Sequence, residues 1–405
     1  MPQADGRVAV LYPWPGLPAV DRGAARRVAP MLEVLARHFR EVEVLSPGSG
    51  KETFCGKIKY THHESPAWES NWTNLAYKFF DGITYHAWRG RLDIRQRRQW
   101  WHYLQPLLRP SLQKAIHGAA QRADVVLLEY PFWSSVLHRQ CNKPVVLTMH
   151  DLLSEVVASP WLKSRVWQNE LRACRRSQTV VCHSPSDHER LKAEGIDSHF
   201  VPPGFDLTVP VSEAAFPKLA RVEEVHRQGD MVCLFIGSSL QPNRDAVEVI
   251  KQTAHRLANQ PGIFFVVAGA CCGPQTFGEN LISLGPVSEE ELNRLYTLGE
   301  VALAPVTSGS GSSLKVIEAL VRKKILLCTA FGARGYGIIS GKHAILCDDF
   351  SEYPKILLRL RENPVERKSL AEGGWQFVQA FDHKAVYQTY VTIIQGLLAG
   401  RETSS

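Results

Sequence analysis

The chain of 405 residues contains no apolar run near the roughly 18 uninterrupted residues that a membrane-crossing helix needs, so no segment is expected to span a bilayer. That leaves attachment to a membrane surface open. Low-complexity runs and internal repeats are also lacking. The nine cysteines are odd in number and have no repeating spacing, which argues against a disulfide framework and for a reducing, cytoplasmic setting. No signal peptide is expected, because the first apolar run, VAVLY at Val8 to Tyr12, is too short for an h-region. Zinc is poorly served: His62 and His63 are adjacent and point apart beside Glu64, and Cys271 and Cys272 have no second pair. What is present is ordinary for a globular protein, with 44% apolar and 21% charged residues. Lys and Arg number 47 against 40 Asp and Glu, a net charge of +7 that could serve nucleic acid, anionic lipid or phosphorylated ligands and decides nothing alone.

The length exceeds what one core usually supports, so two domains of roughly 200 residues are expected. Val8 to Tyr12 read as a buried strand, Ala25, Val28, Leu32, Leu35 and Phe39 recur at helical spacing, and Val42 to Leu45 read as a second strand. Pro30 falls inside the helical run and would cost about 3 kcal/mol in a helix interior, which places the regular helix start at or just before it. The alternation resumes with ADVVLLEYP (Ala123 to Pro131), PVVLTMHD (Pro144 to Asp151), TVVCHS (Thr179 to Ser184) and SHFVPPG (Ser198 to Gly204). A second series starts at Met231 and runs through Gly262 to Ala270, Leu281 to Val287, Val301 to Val306, Lys324 to Ala330 and Ala344 to Asp349. Strands alternating with helices predict parallel sheets covered on both faces. The expected organisation is α/β, two doubly wound Rossmann-like domains facing across a cleft, residues 1–204 and 205–380, with the Pro and Gly at 202–204 as a hinge. A C-terminal helix over 381–405 could pack back on the first domain. Residues 51–120 fit the pattern least well and read as an insert. This insert mixes Trp68, Trp72, Trp88, Trp100 and Trp101 with Arg89, Arg91, Arg95, Arg97, Arg98 and Arg109, as an interfacial helix or acceptor groove would, or as tryptophans packed beneath a solvated face would.

The most informative stretch is GSGSSLKVIEAL, Gly309 to Leu320. Small residues lead from a strand into a helix whose inner face carries Leu314, Ile317, Leu320 and Val321, and whose first charged residue is Lys315. A helix start already carries positive partial charge, so a lysine there costs roughly 0.3 to 1 kcal/mol unless an anion offsets it. Free N–H groups at Gly309, Ser310, Gly311, Ser312, Ser313 and Leu314 would suit a diphosphate, which Lys315 could reach, and Glu318 one turn on is placed for the vicinal hydroxyls of a ribose. The plain alternative is a flexible serine-rich loop with Lys315 and Glu318 as a surface pair.

With its neighbours, ALAPVTSGSGSSLKVIEALVRKKILLCTAFGARGY resembles the donor-binding segment of retaining glycosyltransferases of family 4, which have the GT-B fold. LFIGSSLQPNRDAVEVI, FVVAGACC, LGPVSEEELNRLY, CHSPSDHERL and VPPGFDL follow the same family order; the likeness is strong from Thr179 to Phe381 and poor across the insert. Of two family glutamates eight positions apart, Glu318 matches the second, the ribose partner, while the first falls on Ser310. The Arg and Lys that the family places after the strand ending in Gly237 fall on Ser238 and Asn243, so the resemblance leaves Arg244 and Lys315 to grip the diphosphate. It also implies that His150, in TMHD, touches the donor sugar; a helix-capping Asp151 beside a structural histidine is the bland alternative. Glu129, closing VLLEYP, is a second rim carboxylate. Gly23 matches one glycine of the family's first-loop pair, with Arg22 where the other is often found.

These residues predict a metal-independent hexosyltransferase-like enzyme without a cofactor. It would move a sugar from a UDP- or GDP-sugar to a saccharide or lipid-linked hydroxyl acceptor, with retention of configuration, in exopolysaccharide, glycolipid or other cell-surface glycan synthesis. The setting would be cytoplasmic, with a peripheral membrane contact compatible with the insert. Catalysis would rest on His150, Asp151 and Glu129. A same-fold nucleotide-sugar epimerase and an inactive nucleotide-sugar-binding protein are the alternatives. A nucleic-acid partner is not expected, because the basic residues are dispersed.

Overall fold

A computed structural model of the chain describes residues 4–18, 23–49, 52–87, 101–157, 160–208, 212–308 and 314–402. The chain divides into two compact units, Met1–Phe205 together with His383–Ser405, and Asp206–Asp382. The first contains strands β1 (Ala4–Leu11), β2 (Phe39–Pro47), β3 (Thr53–Cys55), β4 (Ile58–His63), β5 (Val125–Glu129), β6 (Val145–Met149), β7 (Thr179–Cys182) and β8 (Ser198–Phe200). Among the described residues they form one sheet in the order β3-β4-β2-β1-β5-β6-β7-β8, parallel except for β3 against β4. Every residue of β5 and β6 is buried, as expected where helices cover both faces of a parallel sheet. A buried Val or Leu contributes about 1.5–3 kcal/mol, so these runs hold the centre of the sheet. Strands β3 and β4 come from the stretch read as an insert: β4 extends the sheet beside β2, pairing Val42 with Ile58 and Val44 with Tyr60.

The helix after β1 runs over Gly23–His38, with Pro30 inside it. It starts seven residues earlier than the proline rule predicts, because one face buries Ala25, Val28, Met31, Leu32 and Leu35 against the sheet. That burial opposes the lost Pro30 N–H, and the Arg27 carbonyl in the disturbed turn accepts a hydrogen bond from the Tyr387 hydroxyl at 2.9 Å. Tyr387 belongs to the terminal segment, where the helices His383–Val386 and Gln388–Glu402 place Tyr387, Tyr390, Val391 and Ile394 in the core of the first unit.

The stretch 202–204, expected to be a hinge, is packed. The Gly204 N–H donates to the Tyr387 hydroxyl at 2.9 Å, and a Cβ on Gly204 would lie 2.7 Å from the His383 Cα. The chain leaves the unit only after Phe205 and returns at His383. Within the insert, the helix Ala67–Ala87 exposes Trp68, Trp72, Leu75 and Phe79, which share one stripe at i, i+4, i+7 and i+11. Its buried flank is fastened by Glu69, which accepts from the Ser111 N–H at 2.8 Å. His62 and His63 have separate partners, Ser46 at 3.2 Å and Ser111 at 3.0 Å.

The second unit contains β9 (Met231–Ile236), β10 (Ile263–Ala268), β11 (Gln275–Thr276), β12 (Leu281–Ser283), β13 (Val301–Ala304), β14 (Ile325–Cys328) and β15 (Ile345–Leu346). Their order is β11-β12-β10-β9-β13-β14-β15, parallel except for β11. No described helix is long and apolar enough to cross a membrane.

Candidate functional site

In the second unit, side chains gather where β9 ends and the helix Leu314–Val321 begins. β9 delivers Gly237, where the chain is crowded: a Cβ there would meet the Cys271 Sγ and the Phe235 ring at 2.9 Å. Gly269, at φ +99°, approaches so closely that its own Cβ would lie 2.2 Å from the Gly237 carbonyl oxygen, so both positions demand glycine. Asn243, in the first turn of the helix Gln241–Arg256, is buried and donates through Nδ2 to the Ser238 carbonyl at 3.1 Å and hydroxyl at 3.0 Å. Its Oδ1 accepts from Lys315 Nζ, and the same ammonium lies 4.4 Å above the Phe235 ring. Burial lowers the Lys315 pKa to about 8, with Cys271 and Glu318 opposing the shift.

Ser238 and Asn243 therefore form the polar seat on which Lys315 rests. The lysine crosses from one helix start to the other and is held there by neutral groups. A desolvated cation at a helix start is destabilised until an anion arrives. Glu318 lies one turn further along, partly exposed. Arg244 is exposed beside Asn243 and makes no ion pair among the described residues. Gly309, Ser310, Gly311, Ser312 and Ser313 lie outside the described residues, as does Arg22; Gly23 opens its helix.

In the first unit, the carboxyl ends of β5, β6 and β7 bring together Glu129, Thr148, His150 and His183. The sequence places Glu129 and His150 at strand ends on the rim of the expected cleft. The structure buries both, at 0% and 3% exposure: Glu129 beside Thr148, which Tyr390 of the Gln388–Glu402 helix covers, and His150 against the rings of Tyr130 and His183. Glu129 pairs with His150 Nε2 and accepts from Thr148 Oγ1 at 3.0 Å; Thr148 in turn meets the Tyr390 hydroxyl at 3.1 Å. His183 packs edge-on against His150 at 4.8 Å, with its Nδ1 on the Val201 carbonyl.

Burial pushes the Glu129 carboxyl up to about 7 and both imidazoles down to about 3. His150 Nδ1 has no partner among the described residues, so a second ring proton would be left without an acceptor and the neutral ring is favoured. Tyr130 stacks on His150 at 4.3 Å from a backbone with φ +69°, an unfavourable conformation for tyrosine and one that concentrates at functional sites. Asp151 caps no helix. It lies 3.8 Å from Arg27 Nη1, and its Oδ1 is without a partner among the described residues.

Arg27, Tyr130, Thr148, His183 and Tyr390 were not singled out from the sequence. Tyr130 and Thr148 flank predicted residues and His183 ends a predicted strand, so proximity to strand ends was the available signal; for Tyr390, 242 residues from Thr148, there was none.

The sequence pattern of Glycosyltransferase Family 4 matches residues 22–209, and that of Glycosyl transferases group 1 matches residues 230–363. A protein described as an uncharacterized 44.6 kDa protein in the cps region of Klebsiella pneumoniae is 25% identical over 103 residues, 25% of this chain and 26% of the relative, so the match spans about a quarter of that protein's length. Among solved structures, sucrose-phosphate synthase from Thermosynechococcus elongatus superposes with a TM-score of 0.73 at 16% identity, covering 98% of this chain and 100% of the other. α,α-Trehalose 6-phosphate synthase from Burkholderia multivorans gives 0.72 at 15%, covering 99% and 98%. HepE from Anabaena, in complex with UDP-glucose, gives 0.64 at 14%, covering 96% and 100%. At these identities the structural likeness establishes the fold.

Proposed function

We propose that this chain, which belongs to the glycosyltransferases of family 4 and group 1 and has the GT-B fold, moves a sugar from a nucleoside diphosphate donor to a hydroxyl acceptor with retention of configuration. The observation that carries the reading is Lys315: a cation whose pKa burial lowers to about 8, seated on a neutral amide at a helix start, where a diphosphate would offset the cost of its buried charge. Cleavage of the sugar–phosphate bond places negative charge on the leaving diphosphate. Lys315 and the amides of the Leu314–Val321 helix start would meet that charge, with Arg244 in the first turn of the Gln241–Arg256 helix, and so the reading assigns no metal.

Glu318 takes the ribose hydroxyls. HepE, solved with UDP-glucose, supports a uridine donor, with guanosine as the other base to test. In the first unit, Glu129 acts as a positioning residue that orients the His150 ring, which burial and the Arg27 charge keep neutral, and Asp151, with a free carboxylate oxygen among the described residues, is the side chain there suited to a polar substrate. The Klebsiella relative from a cps region supports a role in polysaccharide or other surface-glycan synthesis. A membrane-surface contact is supported by the exposed Trp68, Trp72, Leu75 and Phe79 and by the chain beyond Ala87, which carries Arg89, Arg91, Arg95, Arg97 and Arg98 in its sequence.

The test is a thermal-shift panel of nucleoside diphosphates followed by turnover assays on the corresponding sugars. A ligand at about 100 times its dissociation constant stabilises by about 2.7 kcal/mol. UDP or GDP should raise the melting temperature, and Glu318→Ala and Lys315→Gln should each abolish the rise. A shift unchanged in both variants, or no shift with any nucleoside diphosphate, removes the donor site assigned here.

A further inference from the structure

The first unit holds a cavity of about 730 Å³ that none of the residues above lines. One wall is a single stripe of the helix Pro160–Arg176, on which Arg165, Asn169, Arg172 and Arg176 follow at i, i+4, i+7 and i+11. The rest of the lining includes Leu104, Leu107 and Pro131 together with Ser134 and Ser135. Among the described residues none of the three arginines forms an ion pair. Arg172 donates only to the Asn169 side-chain Oδ1 at 3.4 Å, and Arg165 rests over the Trp161 ring at 5.3 Å.

Like charges four residues apart, as at Arg172 and Arg176, are mutually destabilising on a helix. The helix dipole accounts for a cation in the last turn, at Arg176, and not for Arg165 in the N-terminal half. The acid of this helix is turned away: Glu170 is fully buried on the other side, accepting from the Leu153 N–H at 2.7 Å. Nearby, burial and the Arg176 charge lower His138 to about 4, and its Nε2 has no partner among the described residues, so the surroundings already disfavour further positive charge.

Three guanidinium groups in line without an ion pair, in a cavity that Leu104, Leu107 and Pro131 also line, form a receptor for a group with several acceptor oxygens attached to a less polar body. We propose that this cavity binds a phosphate-bearing ligand, a phosphomonoester or diphosphate, through Arg165, Arg172 and Arg176. None of its lining residues belongs to the donor site proposed above, and the inference does not depend on that site.

The test is calorimetric titration of the full chain with inorganic pyrophosphate in a Lys315→Gln background, so that any binding beside that lysine is removed from the measurement. Charge-assisted hydrogen bonds predict about a tenfold loss of affinity for each arginine replaced by Gln, and loss of detectable binding in Arg165→Gln/Arg172→Gln/Arg176→Gln. Arg172→Lys, which keeps the charge and loses the planar fork, should lie between. The three side chains are exposed and Arg172 and Arg176 repel one another, so the ligand-free melting temperature should stay the same or rise slightly. Equal pyrophosphate affinity in the background and triple variants, or no binding in the background, overturns the proposal. Glucose 6-phosphate and monomeric dihexanoyl phosphatidic acid, titrated in parallel, identify the source: arginine-dependent binding of the first supports a soluble sugar phosphate, and of the second a lipid headgroup.

Discussion

Lys315 and Glu129 show how a single residue's chemistry depends on what surrounds it. Both are moved towards neutrality by burial, to about 8 and about 7. For Glu129 the consequence is a pH dependence of stability. A carboxyl raised from 4.5 to about 7 on folding holds its proton in the native state where the unfolded chain has lost it. Its contribution is fully present below about 4.5 and is lost as pH rises through about 7. Glu129→Gln is neutral at every pH, so the difference in melting temperature between variant and parent should move in the variant's favour across that window, as read by calorimetry at a series of pH values. A difference that stays constant would show that the carboxyl titrates as it does in the unfolded chain. The histidines act in the opposite sense, since neutral His150 and His183 lose stability as pH falls below 6.5 towards 3; the comparison at fixed histidines isolates the glutamate. The identities at both sites could be read in the sequence, His150 from TMHD and Lys315 from its place after SGSGSS. Their burial could not be read, because exposure at a strand end is decided by which distant groups pack over it.

Among the elements, strands with continuous apolar runs were legible because a sheet covered on both faces leaves little choice of residue. The helix Gly23–His38 was misjudged at its start, since the proline penalty is local and the burial that outweighs it is not. β3 and β4 escaped notice for a related reason: their burial pattern is weak, with β3 exposed throughout and β4 buried only at Ile58 and Tyr60. The helix Ala67–Ala87 carries the inverse signal, four large apolar side chains facing outwards, Phe79 at 71% exposure. Trp72→Ser/Phe79→Ser removes half of that stripe without touching the buried side held by Glu69. Co-sedimentation with vesicles containing phosphatidylglycerol should then fall about tenfold or more, because each large side chain contributes about 1.5–3 kcal/mol on leaving water. Undiminished co-sedimentation would assign the stripe to another partner.

At the scale of the molecule, the first unit is closed by the last segment of the chain. Tyr387 accepts from the Gly204 N–H and donates to the Arg27 carbonyl, while Tyr390, Val391 and Ile394 are wholly buried. Their combined burial is comparable with the roughly 5–15 kcal/mol by which a domain is stable at all. A chain ending at Asp382 should therefore lose the calorimetric transition of the first unit and keep that of Asp206–Asp382. Retention of both transitions would make the terminal helices dispensable to the fold.

The sequence by itself determined the two-part α/β architecture and the family, because hydrophobic periodicity and short motifs are properties of neighbouring residues. It also marked the Gly309 to Leu320 stretch as chemically charged before any fold was known. Only the tertiary structure decided that Asn243 and Ser238 form the seat of Lys315, that Glu129 and His150 are buried as a pair, and that three arginines of one helix face a cavity without a carboxylate among them. Each of these is a meeting of groups far apart in the chain, and long-range contact is settled by packing, which no local pattern encodes.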